Sequence, residues 1–428
     1  MKTFTVLASA LALFSMLALA APGIPRLTRK GGSVAKINSN SYIVKLKDGA
    51  TKASQLEWLA THYGNSSKVT HAEWDSNVLH GFAGLFHADA LDALRSSSDV
   101  DFVSEDNIVR INAIVTQTNA TWGLQRITQS GKLAAQDDQA LTYNYTYDDS
   151  SAGAGVDIYV IDTGIYINHT EFEGRARWGA TFGGYPVKLT YVPQDEDGSG
   201  HGTHVSGTAA GMTYGVAKKA NLIAVRAFSD LGFANASDII SGINWVSQQV
   251  TASGRPSIAS MSFESDPCNA LDTAVASLTS NGIHSIASGI DSGTHYECLT
   301  IEPQVAAGNE GSDAGNVSPA RVPSVVTVGA TDITDTLAWF SNYGSVVDLF
   351  APGDDIVSAY IGDPTASEIM SGTSMSTPHI SGLVATIISR DGNDTPAAIS
   401  AMLQQLATKG VLSGLPSGTV NDLARTEV

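Results

Sequence analysis

The chain has 428 residues, 43% of them hydrophobic, enough to fill a sizeable core and more than one domain, which excludes general disorder. Lys and Arg number 24 against 42 Asp and Glu, a formal charge of -18 with no basic stripe to meet a phosphate backbone, so nucleic acid is excluded as a partner.

In chain order, residues 1–20 carry Lys2, an apolar stretch over 6–19 and the small-x-small ending Ala18-Leu19-Ala20, the pattern of a cleaved secretory signal. The stretch is short for a membrane span of about 20 residues, and no later segment reaches that length. The expected product is secreted, extracellular and soluble, a monomer with no membrane partner.

After a Pro- and Gly-containing link over 21–32, residues up to 114 read as a small α+β domain. A strand over 41–47 is followed by Leu56, Leu59, Ala60 and Tyr63 at helical spacing, a strand over 78–86, an Ala/Leu-rich helix over 88–95 and a strand over 100–103.

From residue 115 to 428 the pattern changes to apolar strand-like runs, at 156–161, 222–225, 258–261 and 324–328, alternating with helical stretches at 202–210, 236–249 and 377–389. Buried runs alternating with helices predict an α/β fold: a doubly wound, mainly parallel sheet with helices on both faces. Ligands of such sheets bind at the carboxyl ends of the strands.

Two cysteines, Cys268 and Cys298, are too few for a disulfide framework, and one bridge between them is left open. Asn-x-Ser/Thr triplets at Asn65, Asn119, Asn144, Asn168, Asn235, Asn316 and Asn393 fit a secreted glycoprotein.

Four motifs carry chemistry. The strand over 156–161 delivers Asp162-Thr163-Gly164 at its carboxyl end. Asp197-Gly198-Ser199-Gly200-His201-Gly202-Thr203-His204 sets His201 on a Gly-rich turn that opens a helix of small residues. Ser371-Gly372-Thr373-Ser374-Met375-Ser376-Thr377-Pro378 precedes an apolar helix. Proline is tolerated best in a first helical turn, which predicts Ser374 near the helix N-terminus, where its backbone N–H can face an oxyanion. Ala306-Ala307-Gly308-Asn309 ends a further strand-like run and offers the Asn309 amide as a second oxyanion donor. A serine hydroxyl needs a base, and the base needs an acid to orient it; Ser374, His201 and Asp162 supply these types.

Together Asp162-Thr163-Gly164, His201-Gly202-Thr203-His204, Ala307-Gly308-Asn309 and Gly372-Thr373-Ser374-Met375 resemble the signatures of the subtilisin family, specifically its proteinase K-like branch. Their order along the chain is that of subtilisin. The likeness covers nearly all of 118–424, including Trp122-Gly123-Leu124 and Phe340-Ser341-Asn342-Tyr343-Gly344. It implies a serine endopeptidase acting on polypeptides, with Asp162, His201 and Ser374 as catalytic triad, Asn309 and the Ser374 N–H as oxyanion hole, and Ser262, Phe263, Ala306, Ala307 and Gly308 along the substrate. The segment over 21–114, with Ile43-Val44-Lys45-Leu46-Lys47 and Gly81-Phe82-Ala83-Gly84-Leu85, resembles the family's inhibitory prodomain, implying an autoprocessed zymogen cut near Ile114. The resemblance further implies one structural calcium on the carbonyls of Pro323 and Val325 and the carboxylate of Asp348; Val411 stands where a second site needs an acid. No organic cofactor is implied.

Two departures stand out. Ser262-Phe263-Glu264-Ser265 replaces a glycine-bearing segment on the wall of the specificity pocket, narrowing or recharging it. A long extra stretch between Ser285 and Gln304 is expected to split a central strand, and is either a retained short intron read in frame or a surface loop.

Three competing readings fall on the same residues. His201 and His204 could ligate zinc, but no third ligand stands out. Asp162-Thr163-Gly164 with Asp291-Ser292-Gly293-Thr294 mimics the paired loops of an aspartic protease, which would leave the His and Ser motifs unexplained. The run Asp195-Glu196-Asp197 reads as a solvated loop face.

Overall fold

In the computed structural model the structure describes residues 41–64, 67–75, 78–106, 113–182, 195–288 and 311–427. The chain divides into two compact units, residues 1–109 and 110–428. The signal-like segment 1–20 lies outside the described residues.

The first unit contains β1 (Ser41–Leu46), α1 (Lys52–Tyr63), β2 (Ser67–Asp75), β3 (His80–Phe86), α2 (Ala88–Ser96) and β4 (Val100–Glu105). They form a four-stranded antiparallel sheet in the order β2-β3-β1-β4. The core is Val44, Leu46, Leu59, Phe82, Phe86, Leu91 and Leu94. Edge strand β2 is absent from the reading by periodicity: its sequence is mostly polar and its register shifts between Val69 and Ala72, so no clean alternation survives. Val78, placed in a strand by sequence, precedes β3 and is exposed.

The second unit opens with a ribbon of β5 (Ile114–Ala120) and β6 (Tyr143–Asp148), with α3 (Trp122–Arg126) between them. There follow β7 (Asp157–Asp162), β8 (Ala176–Thr181), α4 (His201–Ala210), β9 (Asn221–Arg226), α5 (Ala236–Ser253), β10 (Ser257–Met261), α6 (Asn269–Ser280), β11 (His284–Ser288), β12 (Val326–Thr331) and β13 (Leu349–Pro352). The hairpin β14 (Ile356–Ala359) and β15 (Ser367–Met370), helices α7 (Thr373–Asp391) and α8 (Pro396–Leu406), and β16 (Thr408–Lys409) and β17 (Asp422–Leu423) complete it. The main sheet has the order β16-β17-β13-β12-β11-β10-β7-β9-β8, and only β16 runs antiparallel.

Because side chains alternate along a strand, each central strand feeds two cores. Ile158, Val160, Leu222, Ala224 and Ile258 face one way, with Val205 and Ala209 of α4 and Ile380, Leu383 and Val384 of α7. Tyr159, Ile161, Ile223, Val225 and Met261 face the other, with Ile239, Ile243 and Val246 of α5 and Leu271, Val275 and Leu278 of α6. Helix α5 buries Ile239, Gly242, Ile243 and Val246, the spacing of a single apolar face. The expected doubly wound α/β sheet is thus observed.

The strand before the extra stretch is a correction. β11 pairs with β10 from His284 to Ala287 and with β12 from Ile286 to Ser288, so the first residues of the stretch, 285–288, extend the strand, while 289–304 lie outside the described residues. Backbone groups that would be stranded by a split are taken up by both neighbours.

Candidate active site

Asp162 is the last residue of β7, at the carboxyl end of the sheet. Its carboxylate is nearly buried and accepts the Thr163 N–H at 2.7 Å through Oδ1. His201, first residue of α4, places Nδ1 at 2.8 Å from Oδ1 and 3.0 Å from Oδ2 of Asp162. With the proton on Nδ1 shared with the carboxylate, Nε2 keeps the lone pair a base requires. Close approach of helix and strand depends on Gly202: a Cβ there would sit 2.0 Å from the Gly164 carbonyl oxygen and 3.1 Å from Asp162 Oδ1. Gly200 turns the chain into the helix at φ 93°, a left-handed conformation that glycine adopts without strain.

Ser374 is the second residue of α7, where a backbone N–H has no acceptor within its own helix. Its hydroxyl donates to the Ser262 carbonyl at 3.2 Å. Pro378 is not in the first turn, as the sequence reading had it, but inside the helix. Lacking an N–H, it leaves the carbonyl four residues back, that of Ser374, without its helical donor. The Ser262 hydroxyl fills the gap at 3.0 Å, so β10 and α7 are joined through these two serines. Position near the helix start is therefore as expected, for a different local reason.

Burial disfavours the charged form of His201, yet the Asp162 carboxylate, through its field and hydrogen bond, and the charge of Asp197 leave its pKa raised above the ordinary imidazole value. His204 and His379 are buried and pushed down, to about 3 and about 4, chiefly by burial. His204 Nε2 lies 3.0 Å from the Ile356 carbonyl and 3.2 Å from that of Glu368, a packing role. No cluster of three or more metal-ligating side chains occurs among the described residues, and His201 Nδ1 is taken by Asp162. The parallel sheet likewise removes the all-β framework that an aspartic protease reading requires; Asp291 lies outside the described residues.

Asn309, Ala306, Ala307 and Gly308 also lie outside the described residues. Ser262 stands beside Ser374, whereas Phe263 turns its ring into the core against Phe228, centroids 5.1 Å apart, leaving its backbone as what it can offer a substrate. Cys268 is buried just before α6, and Cys298 is outside the described residues. Asn119, Asn144, Asn168, Asn316 and Asn393 are exposed, and Asn235 is half-buried.

Of the three expected calcium ligands, Pro323, Val325 and Asp348, the last is a largely buried carboxyl with no ion pair among the described residues. It accepts the Thr327 N–H at 2.8 Å and the Gln404 amide at 3.2 Å. Burial pushes its pKa up to about 6. A buried carboxyl held by two neutral donors, with no cationic side chain paired to it among the described residues, is an oxygen donor of the kind a hard cation takes.

Asp197 is a second correction. Far from lying on a solvated face, it is 6% exposed and accepts hydrogen bonds on both carboxylate oxygens. Its place four residues before His201 was the available signal, hidden because a run of three acids reads as surface.

A doubly wound sheet with an acid at one strand end, a histidine on the next helix and a serine at a helix start defines the class of serine hydrolases with this α/β architecture. The chain belongs to the subtilase family, whose model matches residues 153–421, while the peptidase inhibitor I9 family matches 41–112. It is 40% identical to the "Cuticle-degrading protease" of Metarhizium anisopliae over 98% of this chain and 97% of that protein. It is 40% identical to "Proteinase R" of Parengyodontium album over 94% and 91%. A solved "cold adapted subtilisin-like serine proteinase" matches with TM-score 0.60 and 39% identity, covering 72% of this chain and 99% of its own. The protein is a serine endopeptidase of the proteinase K-like branch, preceded by an inhibitory prodomain. No described helix is long and apolar enough to cross a membrane.

Proposed function

We propose that this is a secreted endopeptidase made as a zymogen that cuts itself near Ile114, with Asp162, His201 and Ser374 as its triad. The observation that carries the reading is the His201 Nδ1 contact with both Asp162 oxygens, 2.8 and 3.0 Å; Ser374 stands second in α7, its hydroxyl on the Ser262 carbonyl. Ser374 Oγ attacks the scissile carbonyl as His201 Nε2 takes its proton; the same nitrogen then returns the proton to the leaving amine, and water repeats the sequence on the acyl-enzyme. Asp162 keeps the proton on Nδ1 and stabilises the imidazolium. The Ser374 N–H and the Asn309 amide hold the oxyanion, each such donor contributing roughly 3 kcal/mol.

An extended substrate passes the backbone of Ser262 and Phe263 and the segment 306–308. Pro323, Val325 and Asp348 would hold one calcium, whose charge supplies structural stabilisation where β12 and β13 begin and takes no part in the reaction. The Asn-x-Ser/Thr triplets accept glycans during secretion.

Labelling of the secreted protein with a fluorophosphonate tests this reading. Wild type should label and Ser374→Ala should not; equal labelling of both ends the triad assignment. Amino-terminal sequencing of the labelled species locates the processing site, and a mass shift with a glycosidase reports passage through the secretory route.

A further inference from the structure

Asp162 and His201 come from different elements, a strand end and a helix start, and something must fix the gap between them. The residue in contact with both elements is Asp197. Its Oδ1 accepts from the Thr163 hydroxyl at 2.8 Å, the Gly200 N–H at 2.9 Å and the Ser199 N–H at 3.1 Å. Its Oδ2 accepts from the Thr203 N–H at 2.8 Å and the Thr203 hydroxyl at 2.7 Å. Thr163, adjacent to Asp162 and 2% exposed, closes the circuit by accepting the Gly202 N–H at 3.0 Å. Thr203 Oγ1 in turn accepts the Tyr166 N–H at 2.9 Å. Asp197 thus grips the residue after Asp162 on one side and the residues flanking His201 on the other, and no cationic side chain among the described residues pairs with it.

We propose that Asp197 is a positioning residue of this peptidase: its carboxylate clamps the end of β7 to the first turn of α4 and so sets the Asp162–His201 geometry. The inference rests on the triad reading given above. Five donors on one carboxylate overdetermine its position, and the positive end of α4 favours a negative charge there. The groups facing His201 are Asp162 from β7, Asp197 from the turn before α4 and buried His204 on its own helix, with Tyr360 packed on Gly200 and donating to the Ser199 carbonyl. Burial opposes the imidazolium, and the charges of Asp162 and then Asp197 favour it. Removing the Asp197 charge therefore moves the acid limb of activity to lower pH, a shift that loss of packing alone does not produce.

The test compares wild type, Asp197→Asn, Thr163→Val and Thr163→Ser, each as the full precursor matured and purified, by kcat and KM on a peptide substrate, the pH dependence of fluorophosphonate labelling, and Tm. Asparagine keeps one acceptor oxygen and so cannot accept both the Thr163, Ser199 and Gly200 donors and the Thr203 pair. Expected for Asp197→Asn is a kcat lower by about ten- to a hundredfold, the scale of a misplacement near 1 Å, with KM nearly unchanged and an acid limb at lower pH. Thr163→Val should lower kcat and Thr163→Ser should restore it. Wild-type kcat and acid limb in both Asp197→Asn and Thr163→Val overturn the proposal, whatever happens to Tm. If Asp197→Asn yields no folded enzyme, the threonine pair decides alone: undiminished kcat in Thr163→Val overturns it. A wild type that fails to label at Ser374 overturns the triad reading and this inference with it, whereas a labelled wild type with indifferent variants removes only the latter.

Discussion

Arg126 and Asp335, 209 positions apart in sequence, meet in a buried two-bond fork, with Nε at 2.6 Å from Oδ1 and Nη2 at 3.1 Å from Oδ2. Both side chains are 1% exposed, and Arg126 Nη1 also donates to the Gln129 carbonyl at 2.7 Å. The pair ties α3 to the loop after β12. Asp335→Ala strands a buried guanidinium and should cost about 3–5 kcal/mol, read from denaturant unfolding of the matured enzyme. Replacing both partners with apolar residues of similar volume should recover most of that loss, which separates a stranded charge from lost packing.

Gly202→Ala should cost far more in activity than an alanine elsewhere in α4. Its Cβ would need the space of the Gly164 carbonyl oxygen, so helix and strand must part and the His201–Asp162 contact lengthens. The expected result is a loss of about a hundredfold in kcat/KM. Equal kcat/KM in the variant would show that the gap is set elsewhere.

The raised pKa of His201 predicts the pH profile. A base must be neutral, so kcat/KM rises with pH through a folded-state value above about 6.5. Asp162→Asn removes the largest favourable influence: the acid limb should move to lower pH while kcat falls roughly ten-thousandfold. Stability runs in the opposite sense. The contribution of charged His201 is present in full below the unfolded-state value and is lost as pH rises through the folded one, so between the two Asp162→Asn loses its penalty relative to wild type. Thermal melts across that window check it.

Ser262→Ala leaves the Ser374 carbonyl without a donor opposite Pro378, an orphaned buried acceptor costing about 1–3 kcal/mol. Tm should fall and labelling of Ser374 should slow. Ser262→Thr, which keeps a hydroxyl, should restore both.

Chelation should lower Tm of the matured enzyme, and added calcium should restore it. Asp348→Asn removes the anionic ligand, and its Tm should no longer respond to either treatment. A calcium response undiminished in Asp348→Asn would place the ion elsewhere.

Much of the fold was legible because its signals are local. The runs that became β7, β9 and β10 are apolar on both faces, and α5 shows its single face at helical spacing. Strand β2 and the ribbon β5–β6 were not read, since edge and ribbon strands alternate poorly and are held by partners distant in sequence. Strand β13 has only four residues, and without its neighbour no pattern announces it.

At the site, residue types and order along the chain determined Asp162, His201 and Ser374 as candidates, because a serine nucleophile, its base and an orienting acid must each be present as side chains. What tertiary structure alone decided is how they are held. Asp197 reads as surface in a run of acids and is buried by the Thr163, Gly200 and Thr203 donors that converge on it. The extra stretch reads as breaking a strand, and β10 and β12 supply the pairing that completes the strand through Ser288. Pro378 reads as a first-turn proline, and Ser262, just after β10, satisfies the carbonyl it leaves open. In each case a deciding hydrogen bond, for Asp197 the one from Thr163, joins segments far apart in sequence, and only the folded sheet brings its donor and acceptor together.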